Sequence, residues 1–107
     1  MNPPSLKPDE INRLRSKYPD RIPIILRKGN TTVNEIVRSK FLVPSTITFG
    51  EFIYNIRRLY KLKPEKALFF YINDTLPTNS DAVSVIYQKY AVNGALNVVY
   101  SEENTFG

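Results

Sequence analysis

The sequence predicts an α+β domain, a four-stranded mixed sheet with helices packed against it. Three observations carry that reading. Four short stretches are rich in the apolar and aromatic residues that favour strands, and apolar residues recur at helical spacing in three others. At 107 residues the chain is also long enough for one hydrophobic core without covalent staples. The stretches come in the order helix, strand, strand, helix, strand, helix, strand, and a mixed sheet with helices on it is the economical packing for that order.

Residues 1–8 contain Pro3, Pro4 and Pro8 and no apolar periodicity, so they read as a flexible N-terminal arm. A helix is expected over residues 9–17. Ile11, Leu14 and Tyr18 share a face, acids precede bases as the helix dipole favours, and Pro19 ends the run. In residues 21–28, Ile22, Ile24 and Leu26 point one way and Pro23 and Ile25 the other. A strand that is apolar on both sides is covered on both faces, hence central. Gly29-Asn30 starts the return to a second strand at 40–44, where Phe41, Leu42 and Val43 are β-formers and Pro44 stops the ladder.

Thr48 and Glu51 have capping-box spacing, which opens a helix at Phe49. Phe49, Phe52, Ile53, Ile56 and Tyr60 form its apolar stripe, with Arg57 and Arg58 off it. A third strand is expected over 67–72, with Leu68, Phe70 and Ile72 facing the core and Phe69 and Tyr71 facing away. A helix over 81–90 follows, with Val83, Ile86, Tyr87 and Tyr90 on its stripe and Ser80 as its cap. Asn93-Gly94 turns the chain into a last strand in which Leu96, Val98 and Tyr100 alternate. The domain then spans 9–101, and residues 102–107 are a flexible tail ending in glycine. Two strands, a long helix and further strands point to the β-grasp architecture of ubiquitin, with two helices on one sheet face and the N-terminal helix on the other.

Composition narrows the chemistry. The chain has no cysteine and no histidine, which removes disulfides, thiolate and imidazole metal sites and Ser-His-Asp triads. No apolar run approaches the ~20 residues that span a bilayer, and the start lacks a signal peptide's apolar core, so a soluble, intracellular protein is expected. Charge is uneven: residues 1–66 carry 14 Lys/Arg against 6 Asp/Glu, and residues 67–107 carry 1 against 4. Such a basic half suits nucleic acid, an anionic surface or acidic peptides. Nucleic acid is disfavoured because most aromatics fall on core stripes rather than on an exposed stacking platform. Asp9-Glu10 and Glu102-Glu103 read as solvated carboxylates rather than as an enzyme's acid-base pair.

Five segments carry a resemblance: KYPDRIPII (17–25), KFLVPSTITFGEF (40–52), ALFFYIND (67–74), IYQKY (86–90) and YSEENTFG (100–107). Together they resemble the ubiquitin-like modifiers of autophagy, of the GABARAP and microtubule-associated light-chain type, over residues 9–107. The resemblance implies a non-enzyme that needs no cofactor. Its Gly107 would be taken up by an activating and a conjugating enzyme and joined to phosphatidylethanolamine, with a cysteine protease exposing the glycine and later releasing the lipid. A cytoplasmic protein that decorates the autophagosomal membrane when lipidated is what it implies for location. A terminal glycine suits such handling, since no side chain obstructs the carboxylate.

The resemblance also implies that short aromatic-x-x-aliphatic motifs of adaptors or cargo receptors add as a strand beside residues 40–44. An aromatic pocket then maps to Glu10, Leu14, Pro23, Lys40, Leu42 and Ala95, and an aliphatic pocket to Phe41, Val43, Pro44, Ile47, Phe52 and Asn55. Arg21, Lys40 and Arg58 would meet acidic residues flanking the motif, and Phe69 and Tyr71 would form an outward patch for the protease and conjugation. Three features depart from the family. Ala95 stands where phenylalanine is frequent, Asn55 stands where an aliphatic residue is expected, and one N-terminal helix is evident where two are usual. Burying the unpaired amide of Asn55 costs ~1–3 kcal/mol, comparable with what one aliphatic side chain contributes, so altered preference is expected at the second pocket.

Overall fold

The computed structural model describes residues 7–102 and builds its sheet around β1 (Arg21–Lys28), in which Ile22, Pro23, Ile24, Ile25 and Leu26 are all buried. β2 (Lys40–Pro44) pairs with it antiparallel, Ile22 opposite Val43 and Ile24 opposite Phe41. On the other side β4 (Leu96–Ser101) runs parallel, and β3 (Phe69–Ile72) closes the sheet antiparallel to β4. The order is β2-β1-β4-β3, a mixed sheet with β2 and β3 outermost.

Alternation along β1 assigns each residue to a layer. Ile22, Ile24 and Leu26 join Phe49, Phe52 and Ile56 of α2 (Phe49–Leu59) and Val83 and Ile86 of α3 (Val83–Tyr90) in the main core. Ile25 points the other way and, with Ala95, seats Ile11 of α1 (Pro8–Lys17). Two helices thus cover one face and the N-terminal helix the other, as expected. Pro23 is tolerated in this central strand for a geometric reason. Leu26 donates its N–H to Ser39 of the β2 side, so alternate residues Pro23 and Ile25 direct their main chain toward β4. The β4 ladder begins opposite Ile24, so the donor that proline lacks has no acceptor to serve there.

Several boundaries differ from expectation. α1 starts one residue early, at Pro8, because proline's fixed φ and missing N–H suit a first turn, and the Lys7 N–H finds Glu10 Oε1 at 3.4 Å. Ser80 does not cap α3: the helix begins at Val83 after Ala82. Its first donors are met by main-chain carbonyls, Val83 N–H by Ile47 at 2.8 Å and Ser84 N–H by Ser45 at 3.2 Å. β3 begins at Phe69 rather than Ala67, since Glu102, which would pair with Leu68, gives its N–H to Asn30. The capping box at Thr48 and Glu51 forms as read, with Glu51 N–H on Thr48 Oγ1 and Thr48 N–H on Glu51 Oε1, both at 3.1 Å. No helix among the described residues is long and apolar enough to cross a membrane. The expected arm lies outside the described residues apart from Lys7 and Pro8, as does the tail apart from Glu102.

Asn93 and Gly94 both have positive φ, 52° and 84°, in a two-residue turn closed by reciprocal bonds between Val92 and Ala95. A Cβ on Gly94 would sit 2.6 Å from Cγ2 of Ile11, so this glycine also sets how closely α1 approaches the sheet. Gly94→Ala is expected to cost at least about 1–2 kcal/mol from the left-handed backbone. Urea unfolding measures the loss. Fluorescence of a probe on α1 should report that the helix loosens before the global transition, and coincident transitions would contradict that role for Gly94.

Candidate functional site

β2 is an outer strand, and its alternation fixes what it offers to solvent. Phe41 and Val43 pair with Ile24 and Ile22, so Lys40 and Leu42 turn their N–H and C=O outward, while Pro44 has no N–H to give. No further strand pairs with β2 among the described residues. Both outward carbonyls carry a guanidinium. Arg38 Nε donates to the Lys40 carbonyl at 2.8 Å, and Arg21 Nη1 makes a long 3.5 Å contact with that of Leu42. Arg38 also lies 5.3 Å above the Phe41 ring. Sequence reasoning named Arg21 and Lys40 and missed Arg38. Its signal was available: two residues before Lys40 in an alternating run, it belongs to the same side.

The residues assigned to the two pockets lie on the two sides of this edge. Phe41, Val43 and Ile47 are half-buried against the main core, and the Phe41 ring meets buried Phe52 edge-on at 5.9 Å. Asn55 is exposed on α2 and Pro44 exposed at the strand end. On the opposite face, Pro23 is buried opposite Leu42, which is half-exposed, and Leu14 and Glu10 are partly exposed on α1. Ala95, 1% exposed, lies under α1 in a small cluster with Ile11 and Ile25. Arg58 is exposed, its guanidinium 5.9 Å from the Tyr54 ring.

The outward aromatic patch is also corrected. Phe69 is half-buried, but Tyr71 is 3% exposed, its ring 6.4 Å from that of Phe69 and its backbone opposite Val99, and burial pushes its phenol up. It faces away from the main core, as read, without reaching solvent.

The tail boundary moves as well, because Glu102 is anchored. Its carboxylate accepts from Lys66 Nζ at 2.7 Å and from Thr32 Oγ1 at 3.0 Å, and its N–H reaches the Asn30 carbonyl at 2.8 Å. The hydrogen bond to Lys66 is the main reason that its carboxyl falls from 4.5 to about 2, with Thr32 adding to the effect and desolvation opposing it. Gly107, the residue proposed to be conjugated, lies outside the described residues.

Fold and edge together define a ubiquitin-like β-grasp domain whose outer strand β2 is open along one edge and flanked by apolar side chains. The chain belongs to the Atg8 family: the family profile described as "Autophagy protein Atg8 ubiquitin like" matches residues 7–107. Autophagy-related protein 8 of Mycosarcoma maydis is 47% identical over 100 residues, 92% of this chain and 85% of that protein. Autophagy-related protein 8a of Arabidopsis thaliana is 44% identical over 108 residues, 99% and 88% of the two chains. Among solved structures, Trypanosoma brucei ATG8 superposes with a TM-score of 0.80 at 41% identity, covering 88% of this chain and 83% of that one. Plasmodium falciparum Atg8, solved with a P. falciparum Atg3 peptide, gives 0.81 at 28% identity, with 90% and 87% covered.

Because the folded carboxyl of Glu102 titrates below its ordinary value, its contribution to stability is complete above pH 4.5 and is lost as pH falls from there toward about 2. Glu102→Gln should remove that part of the acid sensitivity. Unfolding free energies measured across this window should fall less steeply for the variant than for the parent, and parallel curves would show that the anchor is energetically silent.

Proposed function

We propose that this chain is a non-enzymatic modifier of autophagy, joined through Gly107 to phosphatidylethanolamine and reading acidic-flanked aromatic-x-x-aliphatic motifs by strand addition to β2. The observation that carries the reading is the outer strand itself. The main chain of Lys40 and Leu42 faces solvent, and apolar residues stand on either side. Main-chain bonds supply affinity in such a mode and the flanking pockets supply choice. That a relative has been solved with an Atg3 peptide supports a peptide ligand here. Arg21, Arg38 and Lys40 at the edge favour acidic neighbours in the motif, and Arg58 extends that basic surface along α2. The partners that follow from family membership are an activating and a conjugating enzyme, a processing cysteine protease, adaptor or receptor peptides and, after conjugation, the autophagosomal membrane. The protein would otherwise be cytoplasmic.

A reconstituted lipidation reaction tests the first half. The chain ending at Gly107 should form a thioester and then a faster-migrating lipid conjugate, and a chain lacking Gly107 should form neither. Conjugation of both would sink the assignment. For the second half, Arg21→Gln should slow association with an acidic-flanked peptide at low salt and change dissociation little, because exposed charge acts chiefly on encounter. Stopped-flow rates that leave association untouched would remove Arg21 from the edge's recognition set.

A further inference from the structure

Arg27 is unlike the other arginines near the sheet edge. Arg21 and Arg38 hold main-chain carbonyls of β2, and Arg57 holds those of Lys63 and Lys66. The Nε of Arg27 is buried and has no hydrogen-bond partner. No protein acceptor holds this guanidinium in place, as acceptors hold the other three. No ion pair to Arg27 is found among the described residues.

Its surroundings suit an anion. Arg27 lines a cleft of about 640 Å³ together with Lys28 and Arg38, and no acidic side chain lines it. Lys28 is oriented there by a hydrogen bond to Asn34 Oδ1. Arg27 and Val99 also line a neighbouring cavity of about 650 Å³, where Lys89 adds a fourth cation and Asp74 is the one acidic side chain. A guanidinium fork shared by two adjacent cavities, with lysines beside it, fits the several acceptor oxygens of a phosphomonoester.

The rims say what carries that phosphate. Val37 lines the first cleft and is 84% exposed, and Val92 lines the second and is 58% exposed. Two aliphatic side chains left in solvent beside four cations match a surface that meets acyl boundary and anionic headgroups together. A soluble phosphate ester would gain nothing from them.

We propose that the cleft centred on Arg27 takes the phosphomonoester headgroup of an anionic lipid, with Val37 and Val92 resting at the acyl boundary. This stands apart from conjugation at Gly107, and the test uses the unconjugated full chain. Sedimentation with phosphatidylcholine vesicles, with and without phosphatidic acid, reads the affinity. Arg27→Gln should weaken binding to the acidic vesicles about fivefold or more, the equivalent of the ~1 kcal/mol that one cation contributes at an anionic membrane. Lys61→Gln changes net charge equally, on the loop after α2, and should bind like the parent. Arg27→Lys keeps the charge and loses the fork, and should fall between the two. Equal losses from Arg27→Gln and Lys61→Gln would reduce the effect to net charge and overturn the site. Should Arg27→Gln fail to fold, amide shifts of the parent chain with short-chain phosphatidic acid decide the matter. Shifts centred on Arg27, Lys28, Val37 and Val92 support the proposal, and shifts centred elsewhere refute it. Glycerol 3-phosphate is the soluble arm. Saturable binding of it by a chain that ignores the vesicles would reassign the cleft to a soluble phosphate ester and overturn the lipid reading.

Discussion

Everything in this molecule depends on β1 being buried on both faces. Ile22, Ile24 and Leu26 hold α2 and α3, while Ile25 beside Ala95 holds α1, so one strand contributes to both cores. Burying an aliphatic side chain of this size contributes ~1.5–3 kcal/mol, and five successive buried residues make β1 the costliest strand to disturb. A strand so placed must be central. That position pushes β2 to the outside of the sheet, because β4 occupies the other side of β1. The open edge is therefore a consequence of where the hydrophobic residues went, not a feature added to the fold.

Features set by neighbours in sequence were legible before any coordinates. The Thr48–Glu51 box, the alternation of β1, the α2 stripe and the Asn93-Gly94 turn each depend on residues one to four positions apart. What stayed hidden was long-range. Ser80 looks like a cap, yet the α2 and α3 N-termini meet each other's loops instead. Phe49 N–H reaches Asp81, Gly50 N–H reaches Asn79, and Val83 N–H reaches Ile47. Gly50 is what permits that approach, since a Cβ there would lie 3.1 Å from the Asn79 carbonyl oxygen. No local rule identifies such a partner some thirty residues away.

The same holds for the segment between β1 and β2. It reads only as a return to the second strand, yet Val33 and Ile36 are buried in the main core. With no regular period to flag them, two apolar residues in a turn-rich run look incidental. Glu102 is a further case, an acid in a polar tail whose partners Thr32 and Lys66 come from two different loops. In the candidate site the strand and its pairing were readable, whereas the packing of Ala95 with Ile11 of α1 joins residues more than eighty positions apart and no local pattern announces it.

An exposed strand edge is a hazard, since any extended chain can pair with it. β2 limits this by being short, by ending at Pro44, and by having its outward carbonyls engaged by Arg38 and Arg21. The arginines also make the edge selective. A neutral strand that displaced them would exchange a charge-assisted contact, worth ~1.5–3 kcal/mol when well formed, for an ordinary main-chain bond worth ~0.5–1.5. It would gain nothing by that exchange and would have to rely on its side chains. An incoming segment with acidic flanks offers the displaced guanidiniums new carboxylate partners, so it keeps the main-chain bonds as profit. The 3.5 Å contact of Arg21 is the weaker of the two and should yield first, while Arg38, held at 2.8 Å and against Phe41, resists more. Self-association and capture of an acidic-flanked peptide would use the same groups on β2, and under the proposed reading the arginines would separate them by charge.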